Sequence, residues 1–289
     1  RRTSVPGKQA GHPPNRSQAM PEPPDYHQRP SSWSNKADDY EALFAPFSSE
    51  AAARAVQLAR VTPGDRFLDV AAGTGAMTIA AHRCGARVTS IDFAQGMLDV
   101  LGTKLSKADI ADVDVRRMDG QELDFRDGEF DAAGSGFGVV WFPSPAAGLR
   151  EMKRVLKPGG RVVVTSTGHP GSSELQILIG AAMGSALGSA APAGAPLSSI
   201  LPDARTLEAM LVQAGFTQVT VQALSIPWPV PEPQVFWDRW AMASPPSAAA
   251  MSQVPNNIRE QAGREFVRLA RETRQSSFAT EVLFALGRA

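Results

Sequence analysis

The octapeptide LDVAAGTG at residues 68–75 decides the fold of this chain. An apolar run at 67–70 leads into it, and helix-compatible sequence at 76–81 follows it. When a strand turns into a helix through small residues, a ligand can approach the backbone closely, and the helix N-terminus presents its N–H groups to that ligand. The octapeptide therefore predicts the strand, turn and helix that open an α/β nucleotide-binding fold.

An acidic residue, Asp92, ends the next apolar run, at 88–91. That spacing places a carboxylate about 20 residues after the turn, where an acceptor for two ribose hydroxyls is expected. The chain is therefore predicted to bind an adenosine-containing molecule. The alternative interpretation of Asp92, as a cap for a helix that begins near Ala94, stays open.

The glycine spacing separates two classes of cofactor. A dinucleotide site uses three glycines in a G-x-G-x-x-G pattern, but this register gives Gly73, Gly75 and then Thr78. Asp69 stands inside the end of the strand, where a carboxylate repels a pyrophosphate and tolerates or attracts a cationic amino group. S-adenosylmethionine carries an amino group and a sulfonium and has no phosphate. The pattern therefore favours S-adenosylmethionine over NAD.

Composition narrows the class of protein. The chain has 289 residues, of which 43% are hydrophobic, enough for one α/β domain with additional elements. Lys plus Arg equals Asp plus Glu at 29 each, so the charge balance does not indicate a nucleic-acid partner. One cysteine, Cys84, fits a reducing compartment, and no apolar stretch is long enough for an integral membrane segment. We expect a cytoplasmic protein with a small-molecule partner and no metal site; its oligomeric state is not predicted.

The first 32 residues differ from the rest. Basic residues outnumber acidic ones there, and seven prolines break regular structure: Pro6, Pro13, Pro14, Pro21, Pro23, Pro24 and Pro30. Residues 1–32 are predicted to form a disordered tail, with the remnant of an organelle transit sequence as the alternative. Residues 33–289 are predicted to form a single domain. Within it, 33–62 would supply N-terminal lid helices, and 168–202 and 227–275 are candidate substrate-cap segments.

Strands and helices alternate after this tail. Predicted strands cover 66–70, 87–92, 113–118, Phe130–Gly136, 161–165, 217–224 and 278–286. Predicted helices cover 36–44, 49–60, 97–105, 149–156, 175–187, 207–214 and 257–274. Strands separated by helices predict a parallel sheet with right-handed crossovers.

These segments resemble the class I S-adenosylmethionine-dependent methyltransferases, and most closely the small-molecule branch that includes ubiquinone and menaquinone C-methyltransferases. LDVAAGTG resembles the first motif of that family, with Ala71 in place of its usual first glycine. The other resembling segments are IDFAQGML at 91–98, MDG at 118–120, FDA at 130–132 and LREMKRVLKPGG at 149–160. The match is good over 33–166 and loose elsewhere.

The resemblance implies a Rossmann-like, doubly wound α/β sheet of seven strands in the order 3-2-1-4-5-7-6, with strand 7 antiparallel and a helical substrate cap. Ligands of such sheets bind at the carboxyl ends of the strands. The predicted cofactor residues are Tyr40, Asp69, Ala71, Ala72, Gly73, Gly75, Asp92, Phe93, Met97, Met118, Asp119, Gly120 and Ser135. Asp119 would accept from the adenine amine or else start a turn. Ser135 would line the methyl-donor end, and the resemblance places Tyr40 near the methionine part.

The sequence says less about the acceptor. Trp141, Phe142 and Trp237 are candidates for an apolar acceptor pocket, with core packing as the alternative for each. His169, just beyond the fifth strand, is a candidate general base, with a solvated loop histidine as the alternative. No obligatory catalytic residue is predicted, because a sulfonium is already an activated leaving group and much of the catalysis can be orientation and desolvation.

The resulting hypothesis is methyl transfer from S-adenosylmethionine to an O, N or C atom of a small molecule by direct displacement. Two alternatives stay open. An NAD(P)-dependent oxidoreductase would share the first turn and Asp92, but Thr78 and Asp69 disfavour it. A non-catalytic S-adenosylmethionine-binding protein would keep the turn and lose the acceptor cavity.

Overall fold

The computed structural model describes residues 28–188 and 201–289. Residues 1–27 of the predicted tail and residues 189–200 of the first predicted cap segment lie outside the described residues. Helix α1, Pro30–Ser34, begins inside the range assigned to the tail. In the part of the chain that is described, no helix combines the length and the apolar character needed to cross a membrane.

The strands form one sheet at the centre of the domain. They are β1 Arg66–Val70, β2 Arg87–Asp92, β3 Asp114–Arg117, β4 Phe130–Gly136, β5 Leu156–Thr167, β6 Thr217–Pro229 and β7 Ser277–Arg288. Their order is β3-β2-β1-β4-β5-β7-β6. Only β7 runs antiparallel to its neighbours, β5 and β6. The predicted strand order and the antiparallel seventh strand are therefore confirmed.

The helices cover the two faces of the sheet. They are α2 Ala37–Leu58, α3 Ala76–Arg83, α4 Gln95–Lys107, α5 Pro145–Val155, α6 Glu174–Leu187, α7 Ala204–Gln213, α8 Pro233–Trp240, α9 Pro245–Ser252 and α10 Asn256–Thr273. One core cluster joins α2, α3, α6, α8 and α10 to the sheet, and a second joins α5 and α7 to the other face. Because both faces of the sheet are covered, consecutive residues of β1, β4 and β5 are buried.

Helix α2 is one helix where the pattern predicted two. Pro46 lies inside it and removes one backbone donor. Leu43, Phe47 and Ala51 continue the helical spacing across the proline and are all buried in the core. Their burial offsets the missing hydrogen bond, so the helix continues to Leu58.

Strand β6 extends five residues beyond its predicted end, to Pro229, and this extension anchors α2. Trp228 Nε1 donates to the carbonyl oxygen of Leu43 at 3.2 Å. The Trp228 ring stacks on Phe47 with centroids 4.3 Å apart. Helix α2 is thereby fixed beside the carboxyl edge of the sheet, where its Tyr40 faces the loops that follow β1 and β4.

Candidate functional site

The loop after β1 has a backbone that few residues adopt. Ala71, Gly73 and Gly75 have φ values of 58°, 54° and 87°. Gly75 also packs so closely on the Leu101 side chain that a Cβ would collide with it. Ala71 adopts a left-handed conformation although it has a Cβ. This backbone strain costs about 1 kcal/mol, and such strain is typical of functional loops.

Asp92 ties this loop to the loop after β2. Its Oδ2 accepts from the backbone N–H of Gly73, and its Oδ1 accepts from that of Ala94, both at 2.8 Å. The second contact reaches Ala94, which is itself the N-cap residue of α4, and no side chain among the described residues caps that helix, so Asp92 is not the helix cap that the alternative interpretation predicted. Each carboxylate oxygen keeps a further lone pair. Burial raises the pKa of Asp92 to about 6 against the lowering effect of these hydrogen bonds.

An outer chamber opens at the carboxyl edge of the sheet, between α1, α2 and the loops after β1, β2, β3 and β4. The predicted cofactor residues that line it are Tyr40, Ala71, Gly73, Asp92, Phe93, Met97, Met118, Asp119 and Gly120. Trp141 and Phe142, predicted for the acceptor, line the same chamber. The structure therefore brings most of the predicted site together.

Gly120 makes room for an aromatic wall. A Cβ at this position would lie 2.6 Å from Cζ of Phe142 and 2.9 Å from Cγ1 of Val70, so the ring of Phe142 lies directly over the backbone. Asp119 beside it accepts from the N–H of Gln121 at 2.9 Å through Oδ1. This is the turn contact that the alternative interpretation of Asp119 predicted, and the carboxylate still borders the chamber.

An inner chamber adjoins the outer one, and its lining includes Asp69, Ala72, Thr74, Met77 and Thr165. The two chambers share the wall residues Tyr40, Ala71, Gly73, Gly136 and Phe137. The glycine loop therefore borders both chambers.

Asp69 is the charged group of the inner chamber. It is 1% exposed. Its Oδ2 accepts from Oγ1 of Thr78 at 2.7 Å, while its buried Oδ1 has no partner among the described residues. Burial raises the pKa of Asp69 to about 7, and the nearby charge of Asp92 adds to the rise. A buried carboxylate oxygen without a partner is costly, so the chamber suits a ligand that carries a donor or a cation.

Comparison with known proteins identifies the fold and the family. A family model described as a methyltransferase domain matches residues 68–164, from β1 to β5. The demethylmenaquinone methyltransferase of Clavibacter sepedonicus is 34% identical over 166 residues, which are 54% of this chain and 67% of that protein. This chain belongs to the class I S-adenosylmethionine-dependent methyltransferases. The predicted family and cofactor are confirmed, and the NAD(P)-dependent alternative is not favoured.

Other relatives of this methyltransferase match over shorter segments or at lower identity. The demethylmenaquinone methyltransferase of Staphylococcus aureus strain Newman is 42% identical over 113 residues, 38% of this chain and 46% of that protein. The chain thus spans less than half the length of that relative. A putative methyltransferase of Bacillus halodurans has a TM-score of 0.55 at 18% identity, with 82% of this chain and 97% of that chain covered. Structural similarity at 18% sequence identity shows only that the two proteins share a fold.

Four predicted site residues lie outside both chambers of the methyltransferase. Gly75 begins α3 and packs on Leu101. Ser135 is buried, and its Oγ accepts from the N–H of Val139 at 3.0 Å. It therefore shapes the loop after β4 and lines neither chamber.

The other two are Trp237 and His169. Trp237 is buried in the core, with ring centroids 5.3 Å from Phe266 and 5.9 Å from Trp240. Nδ1 of His169 accepts from the N–H of Gly171 at 3.0 Å and caps a short 3-10 turn. The core-packing interpretation holds for Trp237, and His169 borders neither chamber as a general base would.

Several chamber residues were not predicted: Gln28, Ser48, Thr74, Gln121, Phe137, Pro143 and Thr165. Phe137 has a left-handed φ of 60° and donates its backbone N–H to Oγ1 of Thr165 at 3.1 Å. Its position directly after β4, at the carboxyl edge, was a signal for a site residue. The place of Ser48 on α2 had no such signal, because it depends on how that helix packs.

Helix α1 closes the outer chamber by packing on α4. The N–H of Gly96 donates to Oγ of Ser34 at 3.1 Å, and a Cβ at Gly96 would lie 2.6 Å from the carbonyl oxygen of Ser34. Trp33 of α1 meets Tyr40 edge-on, with centroids 6.2 Å apart. The close contact at Gly96 therefore positions the aromatic rim of the chamber.

Gly96→Ala is expected to displace α1 and weaken binding of S-adenosylhomocysteine by roughly fivefold to tenfold, because the backbone of Ser34 cannot yield as a side chain would. Calorimetric titration measures the change. The matched control is Gly102→Ala in the same helix, where a Cβ meets nothing within 4 Å. That variant should bind normally and gain about 0.5–1 kcal/mol in its free energy of unfolding. Equal binding by both variants would show that α1 does not form part of the site.

Proposed function

We propose that this methyltransferase transfers the methyl group of S-adenosylmethionine to a small, largely apolar aromatic acceptor of the quinol or phenol type. The observation that carries the proposal is the pair of adjoining chambers, each with a buried carboxylate: Asp92 at the outer one and Asp69 at the inner one. A nucleoside with a cationic amino-acid tail matches that arrangement in both shape and charge.

The outer chamber is proposed to hold the nucleoside. Asp92 would accept from the ribose hydroxyls through the lone pairs that Gly73 and Ala94 leave free. Phe142 and Met97 would contact the adenine faces, and Asp119 would accept from its exocyclic amine. The close approach of Phe142 to Gly120 supports a flat slot for the base.

The inner chamber is proposed to hold the amino-acid part. Oδ1 of Asp69, which has no partner among the described residues, would receive the amino group. This contact would remove the cost of leaving that oxygen buried and unpaired. The reacting sulfur would then lie beside the wall that both chambers share, next to Tyr40, Gly136 and Phe137. When bound, S-adenosylmethionine supplies a methyl group on a positively charged sulfur.

The acceptor is proposed to enter beside the aromatic rim. Trp33, Tyr40, Phe137 and Trp141 all line the outer chamber and offer ring faces to a planar apolar molecule. Burial raises the pKa of the Tyr40 hydroxyl above its usual range, with the negative charge of Asp92 adding to the effect, so this hydroxyl stays protonated. The residues of the shared wall can orient an acceptor and exclude water from it. They therefore suit an acceptor that is already nucleophilic, such as an electron-rich ring carbon or an ionised phenol.

Two further points support the proposal. Both curated relatives described above are named demethylmenaquinone methyltransferases. The formal net charge of zero and the single free cysteine, Cys84, are consistent with a small-molecule partner and with the proposed cytoplasmic location.

Calorimetry and a transfer assay test the proposal separately. Titration with S-adenosylhomocysteine should give micromolar binding, about −8 kcal/mol, and titration with NADH should give none. Radiolabelled methyl transfer is then measured on a panel of demethylated quinols, phenols and amines. Transfer to the quinols or phenols supports the proposal. Binding without transfer to any aromatic acceptor would refute the acceptor class, and absence of S-adenosylhomocysteine binding would refute the cofactor site.

A further inference from the structure

Behind the inner chamber, Asp69, Thr78 and Ser90 form a buried chain of hydrogen bonds. We propose that Thr78 is a positioning residue that, backed by Ser90, holds the Asp69 carboxylate with one oxygen kept for the cationic amino group of the ligand. The inference rests on the proposed function, because it assumes that the amino-acid part of S-adenosylmethionine occupies the inner chamber.

The three side chains come from three different elements. Asp69 lies on β1, Thr78 in the first turn of α3 and Ser90 on β2. Oγ1 of Thr78 is 2.7 Å from Oδ2 of Asp69 and 2.7 Å from Oγ of Ser90. Asp69 is 1% exposed and the other two are 0% exposed, so water does not compete for these contacts.

The chain of hydrogen bonds has a direction set by chemistry. An ionised carboxylate only accepts, so the single hydroxyl proton of Thr78 goes to Asp69. The Thr78 oxygen then has to accept from Ser90, which makes both hydroxyl groups point toward the carboxylate. Hydrogen bonds aligned in this way reinforce one another and favour the charged form of their last member.

The alignment of these hydrogen bonds matters because burial opposes the charged form of Asp69. Burial is the largest influence on Asp69 and raises its pKa, while hydrogen bonds from the side chain and the backbone of Thr78 lower it. The terminal torsion of an aspartate is broad, and the Thr78 contact at Oδ2 fixes the plane of the carboxylate. Oδ1, which has no partner among the described residues, is then the oxygen left for the ligand.

This geometry gives a structural reason for a threonine at position 78. In the sequence, Thr78 stands where a dinucleotide-binding turn has its third glycine. A glycine would remove the hydroxyl and leave the Asp69 carboxylate without that donor. Thr78 at this position therefore disfavours a pyrophosphate ligand, and its hydroxyl also orients the Asp69 carboxylate toward a cationic ligand.

Thr78→Val and Thr78→Ser test the inference, since the first keeps the shape without the hydroxyl and the second keeps the hydroxyl. Calorimetry measures binding of S-adenosylhomocysteine and of 5′-methylthioadenosine, which lacks the amino and carboxylate groups. Thr78→Val should weaken binding of S-adenosylhomocysteine about tenfold near neutral pH and change binding of 5′-methylthioadenosine by less than about twofold. Thr78→Ser should restore wild-type binding, and Ser90→Ala should give an intermediate loss. Thr103→Val, at an exposed threonine of α4, is the matched control.

The pH dependence separates positioning from a general loss of structure. The deficit of Thr78→Val should shrink as pH rises above about 8, because Asp69 ionises there without the help of the hydroxyl. Unchanged binding of S-adenosylhomocysteine by Thr78→Val, or equal losses for both ligands at every pH, would overturn the inference. If the wild-type protein binds 5′-methylthioadenosine but not S-adenosylhomocysteine, the inner-chamber assignment fails and the inference fails with it. If it binds neither, the proposed function itself is wrong.

Discussion

Asp92→Ala is expected to lower the affinity for S-adenosylhomocysteine by about a hundredfold or more. The variant loses the carboxylate proposed to accept from the ribose hydroxyls, and a hydrogen bond to a charged group contributes about 1.5–3 kcal/mol. It also removes the tie between the N–H groups of Gly73 and Ala94, each 2.8 Å from an Asp92 oxygen. The loop after β1 then loses the contact that holds its left-handed residues toward the chamber. Calorimetric titration measures the loss.

The control for this prediction is Asp99→Ala, which removes an exposed carboxylate of α4 that accepts from Gln95. It should bind like the wild type. Asp92→Asn keeps the shape but presents an NH₂ group to one of the two backbone N–H groups, so its loss should be intermediate, about tenfold. Wild-type affinity in Asp92→Ala, with a normal thermal transition, would show that the nucleoside binds elsewhere.

Asp69→Asn is expected to stabilise the ligand-free protein while it weakens cofactor binding. Burial raises the pKa of Asp69 from 3.8 to about 7, so between those values the folded protein binds more protons than the unfolded chain. The free energy of unfolding therefore falls as pH rises from about 4 to about 7 and then levels off. Asparagine avoids this penalty, and the variant should gain roughly 2–4 kcal/mol at pH 8.

Denaturant unfolding at two pH values checks the sign of this effect. At about pH 5 most of the folded wild type carries a neutral Asp69, and the advantage of Asp69→Asn should fall to less than half of its value at pH 8. Asp92 contributes a slope of the same sign in both proteins, because its pKa is raised to about 6. A variant that is less stable at pH 8, or an advantage that does not change with pH, would contradict the prediction.

Ligand binding should reduce the stability advantage of Asp69→Asn over the wild type. Loss of the proposed charge pair with the amino group is expected to weaken binding of S-adenosylhomocysteine at least tenfold. At a concentration that saturates the wild type, the ligand then stabilises the variant less. Asp69→Asn should melt above the wild type alone and gain fewer degrees on addition of ligand. An equal gain in both proteins would place the amino group away from Asp69.

Much of the fold and of the outer chamber followed from local sequence. The glycine turn, the strand ends at Val70, Asp92 and Gly136, and the order of the strands were all predicted. Local sequence is sufficient for the glycine turn and the strand ends because apolar periodicity and residue-specific backbone freedom act within a few positions. The strand order needed the family resemblance in addition, because it depends on contacts between segments far apart in the chain.

The positions and contacts of individual side chains were harder to predict from the sequence. Two separate helices were predicted at 36–44 and 49–60, yet burial on either side of Pro46 keeps α2 continuous. Trp237 was a candidate for either the acceptor pocket or the core, because aromatic residues suit both, and only the packing of α8 on α10 places it in the core. His169 was a candidate base by its place after β5, but its ring nitrogen caps the turn that follows.

The sequence by itself determined the glycine turn that is proposed to receive the cofactor, the acidic residue Asp92 that hydrogen-bonds to this turn, and the class of fold around them. Each of these depends on neighbouring residues and on the repeat of strand and helix. The tertiary structure alone decided that Thr78 and Ser90 meet Asp69, and that α2 places Tyr40 on the wall between the chambers. Those contacts join residues from separate elements, so they arise only when the sheet and its covering helices pack together.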